Sequence, residues 1–195
     1  MKTNKCMVAI LLYSLGWSAQ KTVISEINQE CSLIIKLSST FTKDTQSLDG
    51  YFTKPGINRA IIYKDSSNKI RLICTETNKI KNDSLLGEIN TIKEVHEYYY
   101  KDDMIFVDEK EIEIKVPMFQ SRKQRSIENN DVKNICVKRR RYYFNGPKLL
   151  SFIDQNGKLV RKNSKEFRDA ERRILIENKI MYLTIQKTKI KYRVQ

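Results

Sequence analysis

The sequence predicts an α+β domain, in which an antiparallel sheet of about six strands, built from three successive hairpins, carries an N-terminal and a C-terminal helix. The strongest observation is Asn145-Gly146, which lies between an aromatic run and an apolar run. Both turn residues tolerate the positive φ of a type I′ turn, so this stretch predicts a β-hairpin. Residues 97–108 repeat the pattern of aromatic run, polar turn and apolar run. Apolar residues recur at helical spacing near both ends of the chain.

Residues 1–19 have the layout of a cleavable secretory signal peptide. Lys2 and Lys5 form a positive start, residues 6–17 are apolar, and small residues follow up to Ala19. We therefore expect export, with cleavage after Ala19 or Gln20 and a single mature domain over residues 20–195. No other apolar stretch is long enough to predict a transmembrane span. The expected location is the periplasm, the cell surface or the extracellular space.

An amphipathic helix is predicted over residues 22–41. Its apolar side chains are three or four residues apart, as one face of a helix requires: Val23, Ile27, Cys31, Ile34, Leu37 and Phe41. Residues 43–55 are polar and rich in turn residues, which predicts a loop.

The three hairpins account for the middle of the chain. The first is predicted from strands at 57–64 and 69–76, and residues 77–87 have no clear period and are interpreted as a connection. The second runs from 88–101 into 104–116, where Pro117 is expected to end the ladder because it lacks a backbone donor. Residues 119–131 predict a polar, exposed connection to the third hairpin, at Asn145-Gly146.

The C-terminal helix is predicted over residues 164–186. Asn163 or Ser164 provides an N-cap, and Glu166 is placed to complete a capping box with Asn163. After Asn178 the residues also alternate as in a strand, so an edge strand is left open for the tail. We expect both helices to cover one face of the sheet.

The chain is strongly basic. Lys and Arg number 37 against 23 Asp and Glu, so the formal net charge is +14, or +12 once Lys2 and Lys5 are removed with the signal peptide. Such a field attracts anionic partners, here an anionic envelope polymer or an envelope protein. An A/T-rich coding sequence would produce the same bias, because abundant isoleucine and asparagine accompany the lysines. Export does not favour nucleic acid, and the sequence does not indicate an oligomeric state.

The candidate binding residues are Arg139, Arg141 and Tyr143, which alternation places on one face of the third hairpin. Arginine binds carboxylate or phosphate with two hydrogen bonds, and an exposed aromatic ring stacks on bases or sugars. Cross-strand pairing with the acidic second hairpin is the favoured alternative use of these charges.

No catalytic residues, cofactor or metal site are predicted. His96 is the sole histidine, no catalytic motif occurs, and the acidic residues lack the spacing of a calcium loop. Glu109 is expected on the solvated face of its strand. The enzymatic alternative is a carboxylate-dependent hydrolase of cell-wall or glycan substrates that uses groups near Asp102 and Asp108.

Three cysteines remain in the mature chain, which permits one disulfide in an oxidising compartment. Cys74 and Cys136 are the preferred pair because both lie in predicted strands. Cys31 lies on the apolar face of the first helix and is expected to be a buried thiol.

The aromatic hairpin at 141–149, followed by Phe152-Ile153-Asp154-Gln155-Asn156-Gly157-Lys158, resembles small exported proteins of bacteroidete bacteria that carry YYF-(D/N)GK-L hairpins. That resemblance implies an exported sheet protein without an assigned activity, and it brings no catalytic residues. Taken together, the sequence predicts an exported, non-enzymatic envelope protein that binds another macromolecule.

Overall fold

The computed structural model describes residues 3–47, 57–83, 88–117 and 134–192. Two long helices, α1 (Thr3–Leu37) and α2 (Lys165–Tyr192), flank seven strands, and a 3₁₀ turn (Ser38–Thr40) follows α1. The strands are β1 (Thr42–Ser47), β2 (Ile57–Lys64), β3 (Ile70–Asp83), β4 (Glu88–Tyr100), β5 (Met104–Pro117), β6 (Asn134–Asn145) and β7 (Lys148–Ile153). They form one antiparallel sheet in sequence order. The α+β class is confirmed, with seven strands instead of six.

The additional strand is β1, in a segment that the sequence predicted to be a loop. It pairs with β2 along its whole length, from Thr42 opposite Lys64 to Ser47 opposite Arg59. Its six residues are all polar, so no alternation of apolar side chains marks it as a strand. This segment is therefore a strand because its backbone hydrogen-bonds to β2 at the sheet edge, and not because of its side-chain pattern.

The three predicted hairpins are confirmed as β2–β3, β4–β5 and β6–β7. The predicted type I′ turn at Asn145-Gly146 is wrong: Asn145 ends β6 opposite Lys148, and the two turn residues are Gly146 and Pro147. Gly146 has φ 56°, but Asn145 does not have the positive φ that a type I′ turn requires at both positions. β3 continues to Asp83, beyond the predicted end, because residues 77–83 pair with β4 from Glu94 back to Glu88. The predicted connection at 119–131 lies outside the described residues.

Both faces of the sheet are apolar near the hairpin turns, and each is covered by its own helix. Successive side chains of a strand point to opposite faces, so Tyr98 and Tyr100 lie on one face while Tyr99 lies on the other. The cluster under α2 includes Val107, Tyr142, Phe144, Phe167, Ile174 and Met181. The cluster under α1 includes Ile27, Cys31, Ile34, Leu72, Phe106 and Tyr143. The expectation of both helices on one face is therefore wrong, because consecutive aromatic residues make both faces of β4 and β6 apolar.

α2 crosses the strands of the sheet. Its Glu171 accepts a hydrogen bond from the backbone of Leu149 in β7, and Asn178 accepts one from the Tyr100 hydroxyl in β4. The Ser164 hydroxyl caps the helix by accepting from the Phe167 amide at 3.1 Å. Because α2 continues to Tyr192, the question left open for the tail is answered in favour of helix.

α1 begins at Thr3 and ends at Leu37, before the predicted end at residue 41. The predicted stripe packs on the sheet except for Leu37, which is 40% exposed. The Gln20 side chain donates to the backbone carbonyl of Leu150 in the edge strand β7, at 3.1 Å. None of the described helices contains a stretch both long and apolar enough to cross a membrane. The signal peptide and its cleavage after Ala19 or Gln20 stay predictions.

Candidate functional site

The predicted binding stripe lies on the α1 face of β6. Of its three members, Tyr143 is 4% exposed, so it belongs to the core instead of the surface. Its ring lies 4.9 Å from that of Phe106, which in turn lies 5.6 Å from that of Tyr99. A row of three packed aromatic rings thus crosses β4, β5 and β6 beneath α1, and Tyr143 has no free ring face for a ligand.

Arg139 takes part in a charged network on the same face. It donates two hydrogen bonds of 2.8 Å to the Asp108 carboxylate, whose side chain is 2% exposed. Lys110 lies 3.2 Å from Asp108 and also 3.2 Å from Glu97. The bonds to Asp108 raise the pKa of Arg139 above its ordinary value. The structure therefore shows the alternative use that the sequence favoured, cross-strand pairing with the acidic second hairpin.

Arg141 differs from its two neighbours in the stripe. It stands opposite Asp108 in the register of β5 and β6, yet that carboxylate is already bonded to Arg139. Within the described part of the chain no ion pair involves Arg141, and its side chain is half-buried. Of the predicted stripe, Arg141 is the cation still available to an external anion.

The opposite face holds a second network, which joins the sheet to α2. Glu109, with 6% of its side chain exposed, accepts from Arg173 at 2.6 and 3.0 Å and from the Tyr142 hydroxyl at 2.7 Å. Arg173 also bonds Glu177, one turn along the helix, at 3.2 Å. Burial has the largest single effect on the pKa of the Glu109 carboxyl and would raise it. The hydrogen bond from Arg173, the charges of His96 and Arg173 and the hydrogen bond from Tyr142 together outweigh burial, so that pKa is lowered.

The prediction of a solvated Glu109 is wrong. The alternation of β5 was interpreted correctly as two faces, but α2 covers the face on which Glu109 lies. A charged residue in a strand does not reveal that a helix 64 residues later supplies its partner. The sequence offered no local signal for this contact.

His96 lies at the edge of the second network. Its Nδ1 is 3.3 Å from the Tyr98 hydroxyl and 3.9 Å from Glu109. One ligand atom from each of His96, Glu109 and Glu177 falls within 4.8 Å of the others, a spacing that suits a metal ion. The Arg173 guanidinium already bonds both carboxylates, so the cation of this cluster is an arginine.

The two carboxylates of the hydrolase alternative are not brought together. Asp102 lies in the β4–β5 turn, 81% exposed, where it pairs with Lys69. Asp108 is buried on the α1 face and neutralised by Arg139. A glycosidase needs both groups in one cleft, so this arrangement gives the alternative no support.

The structure also separates the predicted disulfide pair. Cys74 is in β3 and Cys136 in β6, with β4 and β5 between them, and both are free thiols. Neighbouring strands are about 4.8 Å apart, so three steps across the sheet separate the two Cα atoms by at least roughly 14 Å, whereas a disulfide needs them within about 7 Å. Cys74 is also level with Arg141 in β6, not with Cys136, which increases the separation. The predicted bridge does not form in this fold. Burial raises the pKa of Cys31 and of Cys74 to about 12.

One surface was not singled out from the sequence. Ile176, Ile180 and Leu183 are 51, 40 and 48% exposed, and their spacing of four and three places them in one stripe on α2. The buried side chains Ile174, Met181 and Ile185 face the sheet instead. The sequence could have indicated this surface, because Ile176, Ile180 and Leu183 form a second apolar stripe on the same helix.

No family model, no curated protein and no solved structure matches this chain.

Proposed function

We propose that this chain is an exported, non-enzymatic envelope protein that binds an anionic envelope polymer through its excess positive charge. Export rests on the predicted signal peptide at residues 1–19. Binding in place of catalysis is supported by the two buried networks, since Asp108 and Glu109 are each held by an arginine. Carboxylates neutralised in this way fix the fold and do not exchange protons with a substrate.

The observation that carries the proposal is the distribution of charge. In the described ion pairs between side chains, nine acidic residues meet nine lysines and arginines; the acidic members are Asp44, Asp65, Glu76, Glu97, Asp102, Asp108, Glu109, Glu111 and Glu177. Pairing one acidic with one basic residue removes one charge of each sign, so it leaves unchanged the excess of 14 basic residues that the whole sequence carries, 37 against 23.

A polymer of acidic sugars suits this charge. Such a chain presents many carboxylates at once, and each arginine binds a carboxylate with two parallel hydrogen bonds. Arg141, at the edge of the Asp108 network, is the member of the predicted stripe that we assign to this contact. Arg139 has a side chain that is 53% exposed but paired with Asp108, and Tyr143 belongs to the core beneath α1.

The test is binding of the full chain to alginate, a soluble polymer of acidic sugars, at physiological salt. Neutral dextran is the control polymer, and we expect retention by alginate alone. Arg141→Gln is expected to weaken binding several-fold, because one bidentate contact is lost. Lys138→Gln removes the same charge from an internal pair with Glu111 at 2.8 Å and is expected to weaken it less.

Equal binding of alginate and dextran, or none to either, would overturn the proposal. If Arg141→Gln and Lys138→Gln lower the alginate affinity equally, binding through net charge still holds, but the assignment of Arg141 to the contact is wrong.

A further inference from the structure

We propose that the outer face of α2 docks on the surface of an anionic lipid bilayer. The inference rests on the proposed function, because it names the anionic lipid of the envelope as one partner of the basic chain. The contact is made by the apolar stripe Ile176, Ile180 and Leu183, and the sequence that follows this stripe is basic.

The stripe has the geometry of an interfacial helix. Ile174, Met181 and Ile185 are buried against the sheet, while Ile176, Ile180 and Leu183 point away from it with about half of each side chain exposed. A helix lies in a membrane interface when such a stripe enters the boundary between headgroups and acyl chains. The sheet holds α2 in place through the Glu109–Arg173 contact, so the stripe is presented without a folding step.

The charge of the C-terminal sequence favours an anionic partner. From residue 178 to the C-terminus the sequence has five basic residues and no acidic one: Lys179, Lys187, Lys189, Lys191 and Arg193. Basic residues near an anionic bilayer each strengthen binding by about fivefold. A second copy of the chain would bring the same excess of positive charge against itself, so the charge disfavours self-association through this face.

The experiment places a fluorescent reporter in the stripe. Trp17 is the sole tryptophan of the sequence, so Trp17→Phe with Leu183→Trp gives a full chain whose emission reports on position 183 alone. The matched control is Trp17→Phe with Leu33→Trp, because Leu33 is 49% exposed on α1, on the other side of the sheet. A reporter at a known position separates docking of α2 from insertion of the apolar N-terminal residues.

With vesicles of equal parts phosphatidylglycerol and phosphatidylcholine, we expect a blue shift from position 183 and none from position 33. Vesicles of pure phosphatidylcholine are expected to shift neither. Replacing Ile176, Ile180 and Leu183 by serine in the unlabelled chain is expected to lower vesicle binding about a hundredfold, since three half-exposed apolar side chains no longer enter the bilayer. The matched triple serine variant at Leu33, Ile35 and Leu37 is expected to bind like the wild type.

Three results would overturn the inference. They are no shift from position 183 on anionic vesicles, an equal shift from position 33, and a shift that appears with protein concentration in the absence of vesicles, which marks a second copy as the occupant. If alginate is bound in any of these cases, the proposed function stands and only the α2 contact fails. If neither alginate nor anionic vesicles are bound, both fail.

Discussion

Replacing Arg173 by methionine tests whether the Glu109 network holds α2 on the sheet. The change leaves Glu109, 6% exposed, with the Tyr142 hydroxyl as its hydrogen-bond partner and His96 Nδ1 at 3.9 Å. Removing one member of a buried ion pair costs 3–5 kcal/mol, but Arg173 is 40% exposed and water reaches part of the site. We therefore expect the free energy of unfolding to fall by about 2–3 kcal/mol.

Urea unfolding followed by circular dichroism measures this loss. Glu109→Gln keeps an acceptor for Tyr142 and leaves Arg173 paired with Glu177, so its expected cost is smaller, about 1–2 kcal/mol. The double variant should then cost less than the two single losses combined, because the interaction is lost once. The control is Arg172→Met at an exposed neighbouring position. A coupling energy below about 0.5 kcal/mol, or a loss no larger than in the control, would refute the reasoning.

Three further predictions concern pH, thiols and the hairpin turn. The pKa of Glu109 is lower in the fold than its ordinary 4.5, so the stabilisation from its charge is complete at neutral pH and is lost as pH falls through the folded pKa. The urea midpoint of unfolding should therefore drop on acidification. It should drop less in Arg173→Met, in which the main partner of Glu109 is absent. In the folded chain a maleimide should modify exposed Cys136 while Cys31 and Cys74 stay protected, as peptide mass spectrometry can report; a cross-linked Cys74–Cys136 peptide would contradict the fold. Gly146→Ala should cost about 1 kcal/mol, or roughly 2–4 °C in Tm, from backbone strain alone, since no atom lies within 4 Å of the added Cβ; an unchanged Tm would count against this turn.

Local signals predicted the hairpins well. Asn145-Gly146 located the third hairpin and Gly146 has a positive φ, although the turn itself is formed by Gly146 and Pro147, one residue later than predicted. The N-terminal stripe at Ile27, Cys31 and Ile34 likewise became the buried face of α1. In each case the residues that decide the structure are neighbours in the sequence.

Features that depend on distant partners could not be predicted. β1 exists because β2 offers it an edge, and its own six polar residues carry no strand period. Glu109 is buried because α2 supplies Arg173, and the site that strand alternation predicted around Tyr143 is covered by α1. The charge pairing of Arg139 was foreseen because its acidic partners lie on the neighbouring hairpin.

The salt dependence of alginate binding tests the central claim most directly. If unpaired positive charge binds the polymer, the affinity of the full chain should fall steeply as salt rises, because ions screen exposed charges beyond about 10 Å at 0.1 M and about 3 Å at 1 M. Unfolding measured by circular dichroism at each salt concentration confirms that the fold is retained. An affinity that stays constant across this range would contradict a partner bound by the excess charge.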